Sequence, residues 1–123
     1  MDFDAFTRLM HVTVTPGTVF ANPGGGSSEI IDFSSGSLIY RRGKSRIHVS
    51  LRDLCDAYAH FRGSNVSSTD LRQYRPSVFD SVAGGHSCNC TMLFILLKAI
   101  GAVDRIQGEG VRGNPFWVTI AAT

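Results

Sequence analysis

The stretch from Ser87 to Ile120, SCNCTMLFILLKAIGAVDRIQGEGVRGNPFWVTI, constrains the fold more than any other part of the chain. Between Met92 and Ile100 only Lys98 is charged, so a helix there is apolar on nearly every side and has to be enclosed by the rest of the chain. Ser87 or Asn89 opens that helix and Gly101 closes it. Two short β-prone runs follow, Val103 to Ile106 and Phe116 to Ile120, on either side of a glycine-rich loop, Gln107 to Asn114, that holds Arg112. Only the first turn, His86 to Thr91, offers polar side chains to a partner.

The rest of the chain has to supply the enclosure. With 123 residues, 43% of them apolar, it makes one domain, 1–123, in which a helix and a β-meander occupy 1–49 and a helical unit occupies 50–120. Asp2 or Asp4 caps a first helix that runs through Met10 and turns Phe3, Phe6, Leu9 and Met10 inward. Pro16-Gly17 ends its pattern. The segment NPGGGSSE, Asn22 to Glu29, is a loop, because three successive glycines lose too much backbone entropy to sit inside a helix or strand. It lacks the Gly-Lys-Ser/Thr ending of a phosphate-cradling loop, and no helix pattern opens after it, so it reads as a hairpin connection.

Residues 30–34 (IIDFS), 37–41 (SLIYR) and 46–49 (RIHV) read as consecutive strands. Strand side chains alternate between faces, which puts Ile47 and Val49 on one side and Arg46 and His48 on the other. Ser50 then caps a helix whose first turn holds Asp53, and Leu51, Leu54, Cys55, Tyr58 and Phe61 line its core-facing stripe. Arg62-Gly63-Ser64 stops it, with His60 as a capping or packing side chain. A further helix is expected over Val66 to Tyr74, capped by Ser67 or Ser68 and halted before Pro76. Phe79 and Val82 are expected to point inward ahead of the break at Gly84-Gly85. The expected fold class is α+β: a small antiparallel β-sheet over 18–49 packed on a three-helix unit with a C-terminal β-hairpin.

A net charge of +2 rules out a polyelectrolyte binder, so an electrostatic partner has to be recruited by a local cluster. Arg41, Arg42, Lys44 and Arg46 are such a cluster: four of the 12 Lys and Arg residues fall between positions 41 and 46. Cations of this kind are common on solvated edge hairpins. Their functional reading is contact with phosphates, to which Asn65, Ser67, Ser68, Thr69 and Arg72 add polar groups.

The three cysteines, Cys55, Cys88 and Cys90, are an odd set in a chain whose start has no secretory pattern, so they are expected to be reduced and the protein cytoplasmic. Met92 to Leu97 falls far short of the ~20 apolar residues a membrane span needs. His86, Cys88 and Cys90 are zinc-type ligands, although their spacing departs from paired ligand sites and a further ligand would have to come from Cys55 or another His. The acids, Asp53, Asp56, Asp70, Asp80 and Asp104 among them, are scattered without a nuclease-like pairing. No cofactor is called for.

Over residues 50–120 the order helix, helix, break, helix, strand, glycine-rich loop, strand resembles a winged-helix domain. That resemblance implies a DNA partner, duplex rather than single-stranded, with base edges read by His86, Ser87, Asn89 and Thr91 at the start of the third helix and backbone touched by Arg112 in the wing. The third helix departs from the family in lacking Arg, Lys or Gln at its reading positions, and the break from Arg75 to Gly85 is longer than a tight helix-turn-helix. The basic hairpin is expected to supply the missing affinity. A regulator and the specificity part of a defence or restriction-type system both fit, as a homodimer or within a larger complex. A rival resemblance is to the nucleophile helix of transglutaminase-like and papain-like enzymes, which implies Cys88 or Cys90 as a nucleophile at a helix start. The strand that follows, NPFWVTI, lacks the His of the transglutaminase-like pattern.

Overall fold

The structure is a computed structural model that describes residues 1–122. It is an α+β protein with a four-stranded antiparallel sheet, helices packed on one of its faces, and a second, two-stranded sheet. Helix α1, Phe3–Thr13, begins where Asp2 accepts a hydrogen bond from the amide of Ala5, and it buries Phe6 and Met10. Strands β1 (Val19–Ala21), β2 (Ser27–Ser34), β3 (Ser37–Arg42) and β4 (Ser45–Ser50) follow in chain order across the main sheet. The glycine-rich segment is the β1–β2 hairpin connection, closed by the Asn22 amide donating to the Gly26 carbonyl. Its last residues, Ser27 to Glu29, belong to β2 and pair with β1.

One face of the sheet is core. Ile30, Leu38, Tyr40, Ile47 and Val49 are buried there, and the register Leu38↔Val49 and Tyr40↔Ile47 keeps them on a common side. Helix α2, Leu51–Phe61, starts from Ser50, whose hydroxyl accepts from the Asp53 amide, and buries Leu51, Leu54, Cys55, Ala57 and Tyr58. His60 is a packing residue, stacked on Tyr74 and edge-on to Phe61.

The second half differs from expectation at three places. Val66 does not start a helix: β5, Asn65–Ser67, pairs antiparallel with β6, Trp117–Thr119, and buries Val66 beside Val118. Helix α3, Ser68–Tyr74, starts one residue later from a capping box in which Ser67 and Asp70 satisfy each other's backbone amides. Val82, expected inside, is 96% exposed on a short 3-10 turn, Ser81–Ala83, after helix α4, Pro76–Phe79. Phe79 alone of that pair is core. Third, no strand forms over Val103 to Ile106. Isolated antiparallel bridges, Val103↔Ile120, Gln107↔Trp117 and Val111↔Asn114, hold the C-terminal segments together, whereas β5 pairs continuously with the opposite edge of β6.

Helix α5, Cys88–Ala99, is the central element: every residue from Met92 to Leu97 is buried. The Tyr40 hydroxyl donates to Asn89 Oδ1 at 2.7 Å, and Asn89 Nδ2 donates to the Val78 carbonyl at 2.9 Å. These two bonds tie β3 and the end of α4 to the first turn of α5. No helix among the described residues is long and apolar enough to cross a membrane.

Candidate functional site

Where the first turn of α5 meets α3 and the loop before β6, the surface sinks into an open groove of about 480 Å3. Arg42 reaches it from the end of β3, Ser68, Thr69 and Arg72 from α3, Ser87, Cys88 and Thr91 from α5, and Arg112 from the loop. Among the described residues no carboxylate lines it. Among the described residues the ion pairs are Arg41 with Glu29 and Arg75 with Asp53 and Asp56, so Arg42, Arg72 and Arg112 keep their full charge unopposed. Their only side-chain partners are hydroxyls: Arg42 Nη1 lies 3.4 Å from Thr91 Oγ1, and Arg72 Nη2 lies 3.3 Å from Thr69 Oγ1. A guanidinium has five N–H donors, so most of them remain available to an anion.

Strand alternation divides the basic cluster seen in the sequence. Arg42 shares the side of Tyr40 and enters the groove half-buried. Arg41 points from the opposite face, where Glu29, its cross-strand neighbour, takes its charge. Arg41, expected to contact phosphates with the rest of the cluster, is thus paired with an acid and directed away from the groove. Lys44 is exposed at the β3–β4 turn and does not line the groove. Arg46 joins Arg42, His86 and Cys88 around an adjoining recess.

Of the residues expected to read bases, Ser87 and Thr91 line the groove and His86 the recess beside it. Asn89 is corrected: it is 2% exposed and both ends of its amide are used internally, so it offers nothing to a partner. Ser87 is itself engaged with Ser81, their hydroxyls 3.0 Å apart. The amides of Asn89 and Cys90 donate to the carbonyls of His86 and Ser87, so what the first turn of α5 presents to the groove is side chains.

The groove's apolar wall was not legible in the sequence. Phe116, which the sequence placed at the start of a strand, is half-buried and lines the groove with Pro115 and Val111. Two glycine loops hold its ring. A Cβ on Gly110 would lie 2.3 Å from ring Cε2, and one on Gly24 3.4 Å from the same atom. Gly110 also has φ +71°, which favours glycine. Glycines at this spacing were legible as a loop, but nothing local says that an aromatic ring needs the space.

The cysteines separate by burial. Cys55 and Cys90 are enclosed, and burial pushes the Cys90 thiol up to about 12. Cys88 is half-buried and lines both the groove and the recess. His86 shares the recess with it, and among the described residues no carboxylate lines that recess to orient an imidazole. Among the described residues no three His, Cys, Asp or Glu side chains are grouped so as to hold a metal ion. His86 lies exposed ahead of α5 while Cys90 is buried within its first turn, so the two do not meet with Cys88 at a common ligand position.

Compared with known proteins, the chain matches no family model, no curated protein and no solved structure.

Proposed function

We propose that this chain is a nucleic-acid-binding module, with DNA as its partner, that engages backbone phosphates through the basic groove. One observation carries the reading: Arg42, Arg72 and Arg112, from three distant parts of a chain with net charge of only +2, converge on one concave surface without a carboxylate. Arginine suits this role because its planar fork donates to two phosphate oxygens at once. Arg46 extends the positive surface into the adjoining recess, which His86 also lines. From the winged-helix resemblance the reading keeps a projecting loop that brings Arg112 to the partner, supported by the antiparallel bridges Gln107↔Trp117 and Val111↔Asn114 below its tip. Side-chain readout from the start of α5 narrows to His86, Ser87 and Thr91.

Equilibrium binding of random-sequence DNA across a salt series tests this. Affinity falls steeply with ionic strength as counterions are released, and each phosphate contact removed by Arg42→Ala or Arg72→Ala flattens the slope of log affinity against log salt by about 0.9 on duplex or about 0.7 on single strands. Binding whose slope is the same in both variants as in the parent would overturn the assignment of these arginines.

A further inference from the structure

We propose that the groove is built for one nucleotide unit of a single strand, with its phosphate between Arg42 and Arg72 and its base against the Phe116 wall. The inference rests on the nucleic-acid reading and names the form of the partner. Three features of the groove lead to it.

The first is shape. Duplex recognition by a helix requires that helix to protrude into a major groove, and α5 is buried from Met92 to Leu97. What the chain presents instead is a concavity of about 480 Å3, within the range of about 300–1,000 Å3 typical of small-ligand sites. A duplex backbone is convex and keeps its bases stacked inside, so it brings phosphates to the rim of such a groove and no base to its wall.

The second is the division of the groove into a cationic and an apolar part. Arg42 and Arg72, each steadied by a threonine hydroxyl, supply the charge, whereas Phe116, Pro115 and Val111 supply a surface with no hydrogen-bonding side chain. A lone inorganic anion would leave that wall wet. A nucleotide matches both parts, because a cationic track beside an aromatic ring is how single strands are held without sequence preference.

The third is that the wall is set in place before any ligand arrives. Phe116 stands against Gly110 and Gly24, which come from the two glycine-rich loops, and any side chain at Gly110 would displace the ring. A ring fixed by close backbone approach loses little freedom when a base stacks on it.

The deciding measurement is competition against a fluorescent 5′-phosphorylated oligothymidylate, followed by anisotropy. The unlabelled strand is expected to compete at least about tenfold better than a blunt duplex of equal length, since aromatic stacking contributes about 1–3 kcal/mol per base. Phe116→Leu is expected to weaken the strand about tenfold and leave any duplex binding unchanged. Arg112→Ala, at an exposed loop tip, removes a cation without touching the wall and is expected to weaken strand and duplex alike, in contrast to Phe116→Leu, and thermal melting checks both proteins. A strand that outcompetes thymidine 5′-monophosphate assigns the groove to a polymer. Equal competition assigns it to free nucleotides and upholds the same chemistry. A duplex that competes as well as the strand, with Phe116→Leu silent, overturns this inference while leaving the phosphate-binding reading standing. A phosphotyrosine peptide that competes better than the strand overturns it as well. If no nucleic acid binds at low salt, both readings fall.

Discussion

Asn89 uses its entire amide inside the molecule. Its Oδ1 is the acceptor for the buried Tyr40 hydroxyl and its Nδ2 donates to the Val78 carbonyl, which also accepts from the His86 amide, so removing Asn89 leaves the Tyr40 hydroxyl without its acceptor. Asn89→Ala is therefore expected to destabilise the fold by about 1–3 kcal/mol, the cost of one buried polar group left without a partner. Chemical denaturation measures the loss, and nucleic-acid binding by the folded fraction should not change. A stable variant with altered binding would place Asn89 at the interface after all. Its polarity is plain in the sequence, at a helix start where a partner-facing role is the natural expectation. Its burial depends on Tyr40, which is far away in the chain and arrives from the sheet.

At the scale of elements, the alternation of β3 decides which arginines can act together. Arg41 and Arg42 are adjacent in sequence but lie on opposite faces, one beside Glu29 and the other in the groove. Arg42→Ala is expected to lower nucleic-acid affinity about tenfold, in keeping with a hydrogen-bonded contact to a charged group. Arg41→Ala should change it less than about twofold, because its exposed ion pair with Glu29 contributes little and its side chain is directed away. Titrating both variants side by side checks this, and equal losses would mean that the whole hairpin tip, not the groove, carries the partner. The same comparison explains why the four cations look like one patch when read along the chain. Sequence proximity groups them, and a period of two separates them.

For the molecule as a whole, Tyr40 is enclosed between the sheet and the first turn of α5 and Cys90 between that turn and the ends of α3 and α4, and both ionise unwillingly there. Burial is the main cause for each: it raises the Tyr40 phenol, with the neighbouring Cys88 adding to the effect, and it pushes the Cys90 thiol from 9.0 to about 12. In both cases the folded protein holds its proton at a pH where the unfolded chain has released it. The stability these groups contribute is thus complete below the unfolded values, 9.0 for the thiol and 10.0 for the phenol, and is lost as pH rises from there through the folded values. Urea midpoints should stay level near neutrality and fall above about pH 9, with Cys90→Ala flattening the first part of that decline. A level profile to about pH 11 would show that neither group is enclosed in solution.

Several elements were legible from local chemistry alone. Asp2 before an amphipathic run, Ser50 three residues ahead of the Asp53 amide, and glycine at 63 and 101 mark helix limits because the groups that satisfy a helix end lie within a turn of it. The apolar girth of α5 required burial, which the structure provides. Three outcomes depended on partners distant in the chain. Val66 became a strand because β6 offered one edge, the stretch from Val103 meets the other side only through the single bridges Val103↔Ile120 and Gln107↔Trp117, and Phe116 became a groove wall because Gly24 and Gly110 left room for its ring. The candidate site divides in the same way. The presence of Arg42, Ser68, Arg72, Thr91 and Arg112 as polar groups at element ends follows from the sequence, whereas their convergence follows from how β3, α3 and the last loop pack around α5. Capping and periodicity are short-range and can be read along the chain. A concave surface is made by residues that only tertiary packing brings together.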